Sequence, residues 1–251
     1  MIIDKGQIGD VPALGMLWKQ AFGDSEEFWQ TFLEKADPIN HCRLVRKEES
    51  VAAALYWFDC SWQGKKIAYL YGVATLGQYR GQGLCRALME STHAYLKSLG
   101  YAGCILHPGG PELFAMYEKL GYTPCTQIRE FTCEAGEPIP LRQLTKEEYG
   151  RLRRQYLPEG GVIQEGVTLA FLGALSRFYA GENCLLVCAP DGEEPVISEL
   201  LGDASAAAGV VAALGYPRGN VRVPGEGTPF TMYRSLDGDP KMPTYFGLAM
   251  D

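Results

Sequence analysis

The segment QYRGQG, residues 78–83, is the feature that most constrains the fold of this chain. It follows the strand-like run YLYGVATL and leads directly into LCRALMEST, whose spacing is typical of a helix. A strand, a glycine loop and a helix in this order point the first free N–H groups of the helix outward, where the helix dipole adds positive charge. Gly81 and Gly83 have no side chains to block a phosphate, and Arg80 adds charge at the rim. The segment therefore predicts an anion site.

The glycines alone leave a second interpretation open, because glycine at a strand-to-helix turn also serves backbone geometry without any ligand. Two well-known phosphate loops do not fit the sequence. The chain contains no GxxxxGK[ST] segment, and the dinucleotide-binding fingerprint needs a third glycine where Arg86 stands. The identity of the anion must therefore come from the surrounding sequence.

Composition and charge narrow the class of protein. With 251 residues, 47% hydrophobic and 21% charged, the chain has an ordinary globular composition, enough for one large domain or two modest ones. The N-terminus does not resemble a signal peptide and no run of about 18 apolar residues occurs, so we expect a cytoplasmic protein with no membrane partner. The formal charge of −7 comes without a basic cluster, which argues against nucleic acid as a partner and fits amine-bearing small molecules somewhat better.

The cysteines and histidines predict neither disulfides nor a metal site. The 8 cysteines are scattered, lie mostly in apolar segments and come without a secretory signal, so we interpret them as reduced core thiols. No CxxC pair is present, and only 3 histidines are available as imidazole ligands.

Hydrophobic periodicity predicts alternating helices and strands in the first half of the chain. The resulting order is β-α-α-β-β-β-α-β-α-β, which is typical of an α/β protein with a mixed sheet and helices on both faces. The predicted helices are 10–22, 25–36, 84–100 and 110–122, the predicted strands are 42–49, 51–62, 67–76, 101–107 and 122–134, and 134–140 is a predicted linker.

Two spaced motifs resemble those of the GCN5-related N-acetyltransferases, the GNAT family. The loop matches the family's motif A, Q/R-x-x-G-x-G/A, through Gln78, Gly81 and Gly83 directly after a strand. The later FAMYEKLGY resembles the second motif, a helical tyrosine followed four residues on by Gly-Tyr. The sequence departs from the family at Gly110 and Leu113, where asparagine and alanine often precede the tyrosine. The resemblance covers residues 1 to about 135 and implies the acyl-CoA N-acyltransferase fold there.

The resemblance also implies acetyl-CoA as the acetyl donor. In such a site the backbone amides of residues 78–84 hold the pyrophosphate, and the strand at 67–76 contacts the pantetheine and the acetyl carbonyl. The residues that the resemblance assigns to the donor are Val73, Thr75, Gln78, Arg80, Gly81, Gln82, Gly83 and Leu84.

Aminolysis of a thioester needs an oxyanion stabiliser and a proton for the departing thiolate. A preorganised N–H at Val73 can serve the first need, and Tyr117, by its match to the second motif, is the predicted general acid. The alternative is that Tyr117 is a core tyrosine whose hydroxyl is satisfied by the backbone.

The general base stays open, because the strand IAYLYGVATL carries no carboxylate. The candidates are Asp59, His107, Glu118 and the carboxylate of the chain end at Asp251. Asp59 is also typical of a surface acid at a strand end, and His107 of a hydrogen-bonded structural histidine. An ordered water could replace any of them.

The second half repeats the same succession of elements at coarse resolution, which predicts two copies of the fold in tandem. We predict a first domain at 1–137 with the acetyl-CoA site and a degenerate second domain at 138–251 that completes the acceptor pocket. The second copy has DASAAAG where the first has its glycine loop, so we expect no second donor site. Predicted elements are a strand and helix in 141–157, a helix at 167–180, two strands in 184–203, a helix at 204–216 and extended segments from 220 to 250.

Three functions follow from these patterns. The leading one is an N-acetyltransferase that acetylates a primary amine of a small molecule by direct attack. The second is an acetyltransferase for a protein or peptide amine, and the third is an acyl-CoA-binding sensor without catalysis. Tyr117 favours the enzymes, since a sensor does not need a general acid.

Overall fold

The computed structural model describes residues 1–47, 50–189 and 194–250. The chain forms two compact units, the first of Met1–Thr123 with Met232–Lys241 and the second of Pro124–Thr231 with Met242–Asp251. This division differs from the predicted boundary after residue 137. The reason is that the long strand beginning at Thr123 pairs over Ile128 to Glu134 with a strand of the second unit, Arg218–Pro224.

The first unit contains the predicted elements in the predicted order except the last, the strand at 122–134, which belongs to the second unit. The α/β fold class is confirmed. The first unit begins with strand β1. The predicted element order includes this strand but gives no range for it. The bounds are β1 Ile2–Lys5, α1 Val11–Phe22, α2 Glu26–Ala36, β2 Cys42–Lys47, β3 Ser50–Trp62, β4 Lys65–Thr75, α3 Leu84–Ser98, β5 Gly103–Leu106 and α4 Pro111–Glu118, with short 3-10 turns at Ile8–Asp10 and Gly77–Tyr79. Residues 48 and 49, the last two of the predicted strand 42–49, lie outside the described residues.

Strands β1 to β4 are antiparallel neighbours in chain order. Strand β5 runs parallel to β4, and its pairing covers only Ile67 to Tyr69 with Gly103 to Ile105. On its other side β5 pairs antiparallel with residues 232–235. A strand from the far end of the chain thus completes the sheet of the first unit.

Helices cover both faces of this sheet, as the sequence predicted. Side chains alternate along β4, so that Tyr71 contacts Trp18 of α1 with ring centroids 5.6 Å apart. Leu70, on the other face, belongs to an apolar core that includes Leu88 of α3 and Leu120 beyond α4. Helices α1 and α2 therefore lie on one face, and α3 and α4 on the other.

The elements of the second unit have the bounds β6 Thr123–Glu134, β7 Arg142–Leu144, α5 Lys146–Tyr156, β8 Ile163–Gln164, α6 Val167–Leu175, β9 Arg177–Ala180, β10 Cys184–Ala189, β11 Val196–Gly202, α7 Ala207–Ala213, β12 Arg218–Pro224 and β13 Thr228–Ser235, of which residues 232–235 belong to the first unit. From β7 to β12, apart from the two-residue β8, they repeat the order β-α-α-β-β-β-α-β of the first unit, which fits the predicted tandem arrangement. The sheet order is β6-β12-β11-β10-β9-β7.

Two predicted helices of this half were too long. The helix predicted at 167–180 ends at Leu175, because Arg177–Ala180 turns into β9 and pairs with β10. The helix predicted at 204–216 begins as a 3-10 turn and is helical only at Ala207–Ala213. In both cases apolar residues at helical spacing extend beyond the observed helix, into residues that form a strand or a turn instead.

A buried ion pair holds the second unit's C-terminal segment. Arg153 donates to both carboxylate oxygens of Glu199 at 2.8 Å, and Tyr149 and Tyr245 donate to the same carboxylate at 2.5 and 2.9 Å. Removing one partner of such a pair would leave a buried charge unsatisfied, which costs about 3 to 5 kcal/mol. The pair thereby holds Tyr245 beside Glu199, which lies 46 positions earlier in the chain.

The 8 cysteines are all free thiols, as predicted from their scatter. Burial raises the pKa of the Cys104 and Cys125 thiols to about 12, so both stay protonated at neutral pH. Among the described residues, no helix has both the length and the apolar character needed to cross a membrane.

Candidate active site

Strand β4 carries a bulge at the position where the sequence predicted the acetyl carbonyl. The pairing with β3 shifts between Ala54, which faces Ala74, and Tyr56, which faces Tyr71. The extra residue falls at Gly72 or Val73, and a bulge leaves that residue outside the hydrogen-bonded ladder. Gly72 has φ 59°, a left-handed conformation that favours glycine.

Next to the bulge, strand β4 loses its parallel neighbour. Its pairing with β5 ends at Tyr69 and Ile105, and β5 itself ends at Leu106, while β4 continues to Thr75. Val73 packs against the apolar core on the α3 and α4 face, in the same cluster as Leu106 and Tyr117. The end of β4 therefore borders a gap between β4 and β5. The apolar cluster that contains Tyr117 lies beside this gap.

The glycine loop leads from β4 into α3 as the sequence predicted. Gly81 and Gly83 have φ values of 73° and 76°, and Gly83 occupies the N-cap position of α3. No side chain caps this helix, so the first amides of α3, from Leu84 onward, keep their donors available. A Cβ atom added at either glycine would meet nothing within 4 Å. The loop is open toward solvent and can receive an anion.

Side chains within and near the loop hold its shape. Gln82 donates through Nε2 to the carbonyl of Gln78 at 3.1 Å. Arg80 donates through Nε to the carbonyl of Thr75 at 3.2 Å. Two of the contacts that shape the loop therefore join predicted donor-binding residues: Gln82 with Gln78, and Arg80 with Thr75.

Lys47, at the end of β2, is a residue that sequence reasoning missed. Its Nζ donates to Oε1 of Gln82 at 2.5 Å and lies 4.9 Å from the centre of the Tyr79 ring. In the sequence it stands in the polar run RKEE, which is typical of a turn, and no local signal connects it with a loop 35 residues away. It adds a second positive charge beside the glycine loop.

A cavity of about 290 Å³ lies on the α1 side of the same loop. Its walls combine the end of β4 with the last turns of α1. Thr75 and Arg80 line it together with Leu17, Gln20, Ala21, Leu76 and Gly77.

Tyr117 lies near the end of α4 and is 6% exposed. Its ring contacts Tyr122 edge-on with centroids 5.8 Å apart. Burial, with a smaller contribution from Cys85, raises the pKa of its hydroxyl well above the usual value, so the group keeps its proton at neutral and alkaline pH. No described residue hydrogen-bonds this hydroxyl, whereas the neighbouring Tyr122 hydroxyl pairs with His93 Nε2 at 2.7 Å. The interpretation of Tyr117 as a core tyrosine satisfied by backbone is therefore not supported.

The base candidates occupy different places. Asp59 pairs with Ala68, about 13 Å along β4 from Gly72, and is held by Lys66 and by the Tyr101 hydroxyl. His107 follows β5 directly, two residues beyond Ile105, where the pairing with β4 ends.

The two remaining base candidates lie at the ends of their segments. Glu118 is exposed at the end of α4. Asp251 lies outside the described residues. Among the three candidates that the structure describes, His107 is the one that follows β5, the parallel neighbour of β4.

A comparison with protein families matches residues 3–125 to the family described as "Acetyltransferase (GNAT) domain". The matched range includes β4, the glycine loop, α3 and α4. A comparison with curated proteins finds no match.

Solved structures share the fold over nearly the whole chain. A GCN5-related N-acetyltransferase from Kribbella flavida superposes with a TM-score of 0.73 at 16% identity, covering 94% of this chain and 71% of the other. Eis1 from Mycobacterium abscessus gives a TM-score of 0.70 at 10% identity, with 94% and 74% covered. A putative acetyltransferase from Pyrococcus horikoshii gives 0.63 at 12% identity, with 95% and 91% covered. At these identities the likeness shows the fold alone.

Proposed function

We propose that the protein belongs to the GNAT acetyltransferases, whose family model matches residues 3–125, and that it transfers the acetyl group of acetyl-CoA to a primary amine of a small molecule. The amine nitrogen attacks the thioester carbonyl directly. A C–N bond forms, the C–S bond breaks, the amine loses a proton and the sulfur leaves as the thiol of coenzyme A.

The uncapped N-terminus of α3, reached through Gly81 and Gly83 directly after β4, is the observation that carries this proposal. Free amides at a helix N-terminus favour a phosphate, because their N–H groups and the helix dipole act at the same point. In the second unit, the Asp203 carboxylate accepts from Ser205 N at 2.9 Å at the corresponding strand-to-helix turn. A carboxylate there would repel a phosphate, so the donor is assigned to the first unit.

Each predicted donor residue takes a role that its position supports. Amides from Gln78 to Leu84 hold the pyrophosphate, with Gly81 and Gly83 allowing close approach. Thr75 and Arg80 bound the entry to the loop, and Gln82 links it to Lys47. The Val73 amide, at the bulge, faces the acetyl carbonyl and stabilises the oxyanion; removal of one such donor in other enzymes costs about 3 kcal/mol.

Tyr117 protonates the leaving thiolate in this proposal. Its raised pKa keeps the proton available, and its hydroxyl has no described partner from which it would have to be displaced. The same observation supports a catalyst over a sensor. His107 is the base candidate that we favour, since it directly follows β5, whose pairing with β4 ends just before the bulge.

A panel of primary amines tests the proposal, with the release of free thiol from acetyl-CoA as the signal and mass spectrometry of the acetylated product as confirmation. The expected result is a subset of small amines acetylated at rates well above the hydrolysis of acetyl-CoA. The proposal fails if acetyl-CoA binds and no small amine is turned over. In that case peptides with free N-termini or lysines are the next acceptors to measure.

Replacing Lys47 by methionine should weaken acetyl-CoA binding by about 5- to 10-fold, because a charge-assisted contact near the phosphates is lost together with the bond to Gln82. Calorimetric titration of acetyl-CoA measures the change. Lys97→Met is the matched control, since Lys97 is an exposed lysine in the last turn of α3. Equal Kd values for the two variants would remove Lys47 from the donor site.

A further inference from the structure

An aromatic cluster fills the face of the first unit's sheet that carries α1 and α2. Trp18 is its centre, with ring centroids 4.7 Å from Phe22, 6.1 Å from Phe28 and 5.6 Å from Tyr71. Trp18 itself is only 3% exposed, whereas Phe22 is 45% exposed and Phe28 and Tyr71 are partly exposed. The cluster thus presents apolar rings to solvent at one edge.

Trp18 connects this edge to the bulge of β4. The benzo edge of its indole lies against Gly72, where an added Cβ would be 2.6 Å from Cζ3. Its Nε1, at the opposite edge of the same indole, donates to Oδ2 of Asp24 at 2.8 Å. One side chain therefore separates the Asp24 carboxylate from the position proposed for the acetyl carbonyl.

Asp24 is a carboxylate without a cationic partner among the described residues. It lies between α1 and α2, is half-buried, and uses one oxygen for Trp18. A fixed, partly desolvated carboxylate beside exposed aromatic rings suits a ligand that is positively charged and partly apolar.

The donor's phosphates are assigned to the N-terminus of α3, and α3 and α4 cover the opposite face of the sheet. The α1 and α2 face therefore remains for the acceptor. Because Trp18 is buried against Gly72, an amine would reach the bulge along the exposed rim of the aromatic cluster, beside Tyr71 and Asp24.

We infer that Asp24, with Phe22, Phe28 and Tyr71, forms the acceptor subsite and selects amines that carry a second cationic group on an apolar body. This inference rests on the proposed function. The reacting nitrogen has to be neutral to attack, and a carboxylate in contact with it would favour its protonated form. Asp24 therefore pairs with the cationic group remote from the reacting nitrogen, while the apolar body lies on the exposed rings. Alkyl and arylalkyl diamines have this chemistry.

Two acceptors that differ only in the second charge test the inference: diaminooctane and octylamine. For Asp24→Asn we expect kcat/KM to fall about 10-fold for the diamine and to change less than about twofold for the monoamine, the size of one lost charge-assisted contact. The asparagine oxygen still accepts from Trp18, so the indole stays in place. Glu27→Gln removes the same charge from an exposed position three residues away and should leave both values unchanged.

Calorimetric titration of diaminooctane in the presence of coenzyme A separates this inference from the proposed function, because it needs no turnover. Weaker binding to Asp24→Asn than to the parent protein and to Glu27→Gln supports the subsite, even if no amine is acetylated and the proposed function fails. Equal binding to all three proteins, or equal loss of kcat/KM for diamine and monoamine, overturns the subsite while leaving acetyl transfer intact. Phe22→Ala, at an exposed ring, should weaken both acceptors alike.

Discussion

An aspartate in place of Gly83 should abolish the binding of acetyl-CoA, raising its Kd at least about 100-fold. Two unit charges about 4 Å apart repel by about 4 kcal/mol at the effective dielectric of a protein surface, more than a 100-fold change requires. The side chain has room, since a Cβ at this position meets nothing within 4 Å. A side chain at Gly83 is strained at its φ of 76°, and the favourable interaction of a carboxylate with the dipole of α3 offsets part of this strain, so we expect only a small fall in thermal stability. Calorimetric titration and thermal melting measure the two effects.

Gly83→Asn is the matched control for this variant. Asparagine has nearly the same shape and tolerates a φ of 76° about as well, yet carries no charge. We expect it to weaken binding far less than aspartate does. If both variants bind acetyl-CoA equally, sterics or backbone strain explains the result, and if aspartate leaves the Kd unchanged, the phosphates lie elsewhere.

Replacing Tyr117 by phenylalanine should lower kcat about 100-fold, the lower end of the range for loss of a general acid, while the Kd of acetyl-CoA and the melting temperature stay unchanged. The stability should hold because the hydroxyl has no hydrogen-bond partner among the described residues. Single-turnover kinetics with a saturating amine measure the chemical step.

Tyr95→Phe is the control for the loss of a hydroxyl. Tyr95 packs against the same apolar core, from α3, and we expect its variant to keep the kcat of the parent protein. Equal rates for Tyr117→Phe and the parent would exclude Tyr117 from the chemistry.

The pH dependence gives a separate check on Tyr117. Burial raises the pKa of this hydroxyl, so the protonated, proton-donating form persists as the pH rises. We therefore expect no loss of kcat from ionisation of Tyr117 between pH 7 and about 10, the ordinary pKa of tyrosine. A decline in that range that is absent from Tyr117→Phe would show that the tyrosine ionises earlier than its burial implies.

The local features of the first unit follow from the sequence. QYRGQG predicted the turn into α3, because only glycine enters the left-handed region freely and a helix begins where that turn ends. Ser25 at the start of α2, and the apolar runs of β3 and β4 on either side of the Gln63–Gly64 turn, could also be predicted, since caps and turns depend on neighbours a few positions away. The donor loop and Tyr117 were identified through short motifs of the same local kind.

The remaining features depend on contacts between distant parts of the chain, and the sequence alone did not reveal them. Lys47 reaches Gln82 across 35 positions, and residues 232–235 pair with β5. Trp18 contacts both Gly72 and Asp24, at opposite edges of its indole, only because α1 packs on β4. The sequence by itself determined the succession of elements and the glycine loop, since both are encoded by short-range backbone preferences. Only the tertiary structure decided which charges and rings surround the bulge, because side-chain neighbours across a sheet are set by register and packing, which no local pattern records.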